Sequence, residues 1–112
     1  MMQSMFAGCS QLVTIRKLVF PSSNNGNFTT TDFNGCISLE NLTIEGTICK
    51  NNFSVANCSK LTHDSLMSII NALADKTSAT GTVWKITLGS ANLAKLTTDE
   101  LNQIKTKGWT YA

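Results

Sequence analysis

The four cysteines are the first residues of this chain whose chemistry could define a site. They stand at Cys9, Cys36, Cys49 and Cys58, separated by 27, 13 and 9 residues. Structural zinc sites draw ligands from pairs only a few residues apart, so this spacing predicts no metal site. Three interpretations remain for the thiols: buried free thiols, disulfides between neighbouring units of a repeat, and a reactive thiol, for which Cys49 is the best candidate.

The run Thr62-His63-Asp64-Ser65 is the second group with chemical potential, and it contains the only histidine of the chain. Its residue types are those of a hydrolytic relay. Neighbouring residues on one helical turn point in different directions, however, so they cannot pass a proton among themselves. Capping of a helix by Thr62, with Asp64 near the positive helix end, is the simpler interpretation. With few acids and no glycine-rich phosphate loop besides, the sequence predicts no enzyme.

Composition narrows the classes of partner. The 112 residues fit one domain, residues 1–112, and carry a net charge of +2. Lysine and arginine are spread along the chain without a basic run, so we predict no nucleic-acid partner. No apolar run approaches the length of a membrane span, which predicts no membrane insertion. No cofactor motif is present, and the first ten residues do not form a secretory signal, so the cellular location is left open.

The cysteines recur within a longer pattern of phenylalanine, cysteine and leucine. Two copies follow Phe-x-x-Cys-x-x-Leu and a third has two extra residues before its cysteine; they begin at Phe6, Phe33 and Phe53. The distances between copies, 27 and about 22 residues, are typical of stacked repeats. In such a stack, equivalent residues lie roughly 4.8 Å apart, and each coil covers the apolar side of its neighbour. The pattern therefore predicts inward-facing phenylalanine, cysteine and leucine side chains.

Two segments fit the Leu-x-x-Leu-x-Leu strand of a leucine-rich repeat, Leu39 to Ile44 and Val83 to Leu88. The leucine-like residues of such a strand point inward and the intervening residues point outward. The predicted binding residues are therefore the outward ones: Thr43, Glu45, Lys85 and Thr87. The polar loop from Ser22 to Thr31 is either a solvated connection or a recognition loop beside this strand face.

The period becomes helical after Leu61. Apolar residues at Leu66, Ile69, Ile70 and Leu73 mark one buried helix face. The segment "TVWKITL" predicts a strand, "TTDE" a capping box that opens a second helix, and Gly108 a helix end before a short terminal strand. Alternating strands and helices of this kind predict right-handed crossovers onto a parallel sheet.

This C-terminal part is predicted to cover the last coil of the repeat. The chain then divides into irregular coils over residues 1–61 and helix-containing terminal repeats with a cap over residues 62–112. Trp84 and Tyr111 are either packed within the cap or exposed as contact aromatics, and packing is the simpler prediction. The opposite end, Met1 to Phe6, is apolar and has no comparable cover. It predicts association there with a second copy or another chain.

The motifs "MFAGCSQL" and "DFNGCISLENLTI" resemble the coil of the BspA-like bacterial leucine-rich-repeat family. The segments "LTHDSLMSIINALADKT", "ITLGSANLAKLT" and "KGWTYA" are similar to a terminal module on such proteins in gut bacteria and their prophages. The resemblance implies an α/β fold, a leucine-rich-repeat right-handed solenoid with a parallel sheet. It also implies surface contact or adhesion, at a cell surface or on a virion, and no reaction.

Together, these observations predict a non-enzymatic interaction module that binds a protein or a glycan through its strand face. The alternative is a purely structural role, as the terminal or capping segment of a longer repeat protein.

Overall fold

The computed structural model describes residues 9–19, 33, 35–49, 53–78, 81 and 83–112. The predicted N-terminal contact at Met1 to Phe6 and the loop from Ser22 to Thr31 lie outside these residues. The described part is a mixed α/β fold with five strands and three helices. In chain order these are β1 (Thr14–Val19), β2 (Asn41–Glu45), β3 (Phe53–Ser54), α1 (His63–Ala72), β4 (Trp84–Thr87), α2 (Ser90–Leu93), α3 (Thr98–Thr106) and β5 (Trp109–Tyr111).

The strands form two small parallel sheets, and no closed barrel occurs in the described part of the chain. In the first sheet β1 pairs with β2, and Thr14 lies beside Asn41, one 27-residue repeat further on. In the second sheet β3, β4 and β5 lie side by side in chain order. Helix α1 comes between the first two of these strands, and α2 and α3 come between the last two. The predicted alternation of parallel strands and helices is confirmed.

The repeated motif folds into the same turn in all three copies. The leucine N–H donates to the carbonyl of the preceding cysteine at 3.1 Å for Leu12, 3.3 Å for Leu39 and 3.3 Å for Leu61. Phe33 packs edge-on against Phe53, with ring centroids 5.9 Å apart. The predicted inward orientation is confirmed in the second and third copies, whose phenylalanine, cysteine and leucine are all buried. In the first copy the cysteine and leucine are half-buried, and Phe6 lies outside the described residues.

Strands β2 and β4 do not occupy equivalent places, although both match the leucine-rich-repeat strand pattern. Strand β4 pairs with β3 and β5, whereas the neighbour of β2 on the side away from β1 is helix α1. The expectation of a single parallel sheet that holds both strands was therefore wrong. The physical reason is that the chain after Leu61 has helical periodicity and a capped start, so a helix takes the place beside β2.

Two serines of α1 complete the backbone hydrogen bonding of β2. Ser65 Oγ accepts from the Leu42 N–H at 2.9 Å and donates to the Glu40 carbonyl at 3.0 Å. Ser68 Oγ accepts from the Ile44 N–H at 2.9 Å. An unpaired strand edge invites further strands, and buried backbone N–H groups need partners. The serine hydroxyls thus stand where the backbone of a neighbouring strand would stand.

The helix ends predicted from the sequence are confirmed. Thr62 caps α1 by accepting from the Ser65 N–H at 3.2 Å, and Thr97 forms a reciprocal capping box with Glu100 at the start of α3. Gly108 follows the C-cap of α3 with a φ of 86°. A Cβ atom at Gly108 would lie 2.6 Å from the carbonyl carbon of Lys76, so both conformation and space require glycine there.

Candidate interaction face

The structure divides the four predicted binding residues between the two sheets. Thr43 and Glu45 are exposed on β2, on the face opposite buried Leu42. Lys85 is exposed and Thr87 half-buried on β4, where Ile86 between them is fully buried. The outward alternation holds within each strand, but the chain presents two separate strand faces.

The face of the first sheet is shaped by a β-bulge in β1. Ile15 pairs with Leu42 and Leu18 pairs with Ile44, so two residues of β1 lie opposite the single residue Thr43. Those two residues are Arg16 and Lys17, and both are exposed. A bulge adds one residue to a strand and re-aims its side chain. Here it presents two neighbouring cationic side chains while Ile15 and Leu18 stay in the core.

We call this surface the β1–β2 face and define it by its exposed side chains: Thr14, Arg16, Lys17, Val19, Asn41, Thr43 and Glu45. Lys17 Nζ lies 2.9 Å from Glu45 Oε2, and 59% of each side chain is exposed. A pair so open to water contributes at most about 1 kcal/mol to stability. Arg16 takes part in no ion pair among the residues that the structure describes. The Asn41 amide donates to Thr14 Oγ1 at 3.3 Å across the two strands.

The second face, on β3, β4 and β5, is smaller and less exposed. Ser54 lies beside Thr87, and Lys85 beside Thr110. Both Ser54 and Thr87 are half-buried, and the Thr110 hydroxyl donates to the Trp84 carbonyl at 3.3 Å. This face therefore leaves Lys85 and Thr110 as its exposed side chains.

The aromatic residues of the C-terminal part pack within the fold. The rings of Trp84 and Trp109 meet edge to face at 5.4 Å. Lys76 Nζ lies 4.2 Å from the centre of the Trp84 ring, and Lys105 Nζ lies 5.6 Å from that of Tyr111. The packing interpretation of Trp84 and Tyr111 is confirmed. Every aromatic side chain in the described part of the chain is buried or half-buried.

His63 has two acidic neighbours. Its Nε2 atom lies 2.6 Å from Glu100 Oε2 and its Nδ1 atom 3.8 Å from Asp64 Oδ1. The Thr97 backbone N–H, and after it the His63 ring, hold the pKa of Glu100 below its usual range. The Ser65 hydroxyl is bonded instead to the Leu42 N–H and the Glu40 carbonyl. The contact joins α1 to α3 at the surface, where 46% of the His63 side chain is exposed.

The cysteines are free thiols. Cys36 and Cys58 are fully buried, which confirms the free-thiol interpretation for these two; Cys9 and Cys49 are half-buried. The Cys58 thiol donates to the Phe33 carbonyl of the preceding motif at 4.0 Å. Burial, together with the neighbouring Cys36 thiol, raises the pKa of Cys58 to about 12. No group of three or more histidine, cysteine, aspartate or glutamate residues suited to a metal ion occurs among the described residues.

Sequence reasoning missed Asn92, whose side chain is fully buried. Its amide nitrogen donates to the carbonyls of Leu88 at 2.9 Å and Cys58 at 3.1 Å, with Val55 further away at 3.5 Å. Its oxygen accepts from Lys95 Nζ at 3.1 Å. The segment "ANCSKLT" at residues 56–62 returns as "ANLAKLT" at residues 91–97, each just before a helix, but the equivalent Asn57 is exposed, so this repeat does not predict the burial of Asn92.

Sequence reasoning also predicted no outward residue on β1. The spacing of the buried residues Ile15 and Leu18, three apart where a regular strand requires two, was the available sign of the bulge.

The chain was compared with known proteins at three levels, and no family model, curated protein or solved structure matches it. Among the described residues, no helix has the length and apolar character that crossing a membrane requires.

Proposed function

We propose that this chain is a non-enzymatic interaction module that binds a protein or a glycan through its β1–β2 face. The observation that carries the proposal is the bulge opposite Thr43, which gives this face two adjacent exposed cationic side chains over an intact core. Around them lie hydroxyl and amide groups that can donate and accept hydrogen bonds. Exposed polar groups on a rigid strand scaffold are typical of recognition surfaces.

The proposal includes the architecture implied by the sequence, a right-handed solenoid of the BspA-like leucine-rich-repeat family. Three observations support it: the common turn of the three motifs, the 27-residue register between β1 and β2, and the packing of Phe33 on Phe53. In a solenoid each coil adds one row of outward residues, which builds a binding surface from neighbouring strands. Adhesion at a cell surface or on a virion would use such a surface.

The absence of catalysis is part of the same proposal. A nucleophile on α1 close to His63 would have to be Ser65. This residue is buried, and its hydroxyl accepts from the Leu42 N–H of β2. Glu100 is engaged by both the Thr97 N–H and the His63 ring. Both side chains have structural partners, which supports a role in stability.

The test is a binding screen with a paired set of tryptophan variants. The purified chain is applied to a glycan array and to a panel of immobilised proteins, and each ligand found is measured with Thr43→Trp and Asn102→Trp. Thr43 is central to the β1–β2 face, whereas Asn102 is exposed on α3. We expect Thr43→Trp to lose binding and Asn102→Trp to keep it. Equal binding by the two variants would contradict recognition through this face. A third variant, Lys85→Glu, tests the other strand face, and loss of binding in this variant alone would place the site on β4.

A second candidate function, a structural cap without a ligand, is favoured by the closure of β2 by α1. Ser65 and Ser68 end the first sheet on that side. This function predicts that the screen finds no ligand at all. It also predicts that Ser65→Ala combined with Ser68→Ala promotes self-association, which light scattering after size-exclusion chromatography would detect. A molecular mass of the double variant equal to that of the wild type would contradict the capping role of the two serines.

A further inference from the structure

We infer that the β1–β2 face takes a glycan that carries carboxylate groups, with the Arg16 guanidinium as its main contact. This inference rests on the proposed function and names the class of its ligand. It starts from the balance of charge on the face. Lys17 and Glu45 neutralise each other at 2.9 Å, and no acidic side chain among the described residues pairs with Arg16, so the described part of the face carries one net positive charge, that of Arg16.

The geometry of an arginine fits a carboxylate. The planar guanidinium presents its donors as a rigid fork, which binds the two oxygens of a carboxylate together. The bulge places Arg16, whose side chain is exposed, opposite Thr43 of the neighbouring strand. The arrangement therefore offers a cationic fork next to a hydroxyl group.

The remaining side chains of the face fit a sugar. The Thr14 and Asn41 side chains are exposed and bonded to each other at 3.3 Å. An amide group has two hydrogens and a hydroxyl has two lone pairs, so both keep capacity for a further partner. Sugar rings present hydroxyl groups that need such partners.

The size and composition of the face disfavour a protein ligand. Six residues of β1 extend over about 20 Å, and two strands with their side chains are roughly 10–15 Å wide, an area of about 200–300 Å². A stable protein interface buries about 800 Å² on each partner and is anchored by aromatic or arginine side chains in pockets. The described part of the chain has no fully exposed aromatic ring, and Val19 is the one large apolar side chain of the face.

The experiment measures the affinity of three probes by isothermal titration calorimetry at low salt. The probes are an oligogalacturonate, a neutral malto-oligosaccharide of the same length, and a polyglutamate peptide of the same charge. We expect the oligogalacturonate alone to bind. Arg16→Gln should weaken its binding at least about tenfold, the scale of a lost hydrogen bond to a charged group. The matched control Lys60→Gln removes one exposed charge elsewhere and should stay within about twofold of the wild type.

Two further variants separate the fork from plain charge. Arg16→Lys keeps the charge but not the fork, so its binding should fall between those of the wild type and Arg16→Gln. Glu45→Gln releases Lys17 and should strengthen binding, a gain that loss of folding cannot produce. Circular dichroism confirms that each variant is folded.

Several results would overturn the inference. If the oligogalacturonate does not bind, or if Arg16→Gln and Lys60→Gln weaken it equally, the face does not recognise a carboxylate sugar. If polyglutamate binds as well as the sugar and depends equally on Arg16, the ligand is an acidic protein segment. A neutral glycan or a protein that is lost in Thr43→Trp would leave the proposed function standing and remove only this inference. No effect of Thr43→Trp on any ligand would remove both.

Discussion

The strongest test of the architecture is the replacement of Asn92 by alanine. The Asn92 amide is fully buried and donates to the carbonyls of Leu88 at 2.9 Å and Cys58 at 3.1 Å. Alanine would leave both carbonyls without this donor. The Leu88 carbonyl would lose its donor at a cost of about 1–3 kcal/mol, whereas the Cys58 carbonyl would keep the Leu61 N–H at 3.3 Å and lose only about 0.5–1.5 kcal/mol, so we expect a total loss of about 2–4 kcal/mol. A domain of this size has about 5–15 kcal/mol in total, so the loss is large.

Urea denaturation followed by circular dichroism measures this loss. With a slope of about 1–3 kcal/mol per molar urea, the midpoint should fall by about 0.7–4 M. The matched control is Asn102→Ala, an exposed asparagine of α3, which should change stability by less than about 0.5 kcal/mol. Asn92→Asp keeps the shape but loses the donors at neutral pH, so it should be at least as unstable as Asn92→Ala. A stability of Asn92→Ala within about 0.5 kcal/mol of the wild type would refute the role assigned to this side chain.

Further predictions concern single sites. Ser65→Ala should cost about 1–3 kcal/mol in urea denaturation because it strips the partner from a buried N–H, and Ser68→Ala, at a half-buried position, should cost less. Gly108→Ala should cost at least about 1–2 kcal/mol, since a Cβ atom there would clash with backbone at a φ of 86°. The pKa of Cys58 is about 12 in the folded state and near 9.0 in the unfolded state. The contribution of the protonated thiol to the free energy of unfolding is therefore complete below pH 9.0 and is lost as the pH rises towards 12. Between these pH values the free energy of unfolding of the wild type should therefore fall by up to about 1.4 kcal/mol per pH unit more than that of Cys58→Ala. If urea denaturation gives the same pH dependence for both proteins, the buried thiol is contradicted.

The parts of the fold that the sequence predicted are those with local signals. The cap at Thr62, the capping box at Thr97 and the glycine at Gly108 each depend on a few neighbouring residues. Their chemistry acts within one turn of the chain, so a short segment is enough to predict them.

The parts that it missed depend on distant segments. The sequence predicted the helix after Leu61 but not its place beside β2. That place depends on Ser65 and Ser68, which lie more than 20 residues later and bond to the N–H groups of β2. The position of Arg16 opposite Thr43 depends on which two apolar residues of β1 pair with Leu42 and Ile44. Neither relation is local, so the alternation rule placed Thr43 and Glu45 outward but gave no place to Arg16 beside them.

The closure of β2 and the bulge of β1 bear on the same question, the width of the recognition surface. On one side Ser65 and Ser68 occupy the hydrogen-bonding positions of β2, so no strand can add there without displacing α1. On the other side β1 carries a bulge and the adjacent charges of Arg16 and Lys17, two devices that discourage strand pairing at an edge. In the described part of the chain the face is two strands wide. A surface of that width suits a ligand that lies along the strands, and a linear oligosaccharide that contacts Arg16 at the bulge has this form.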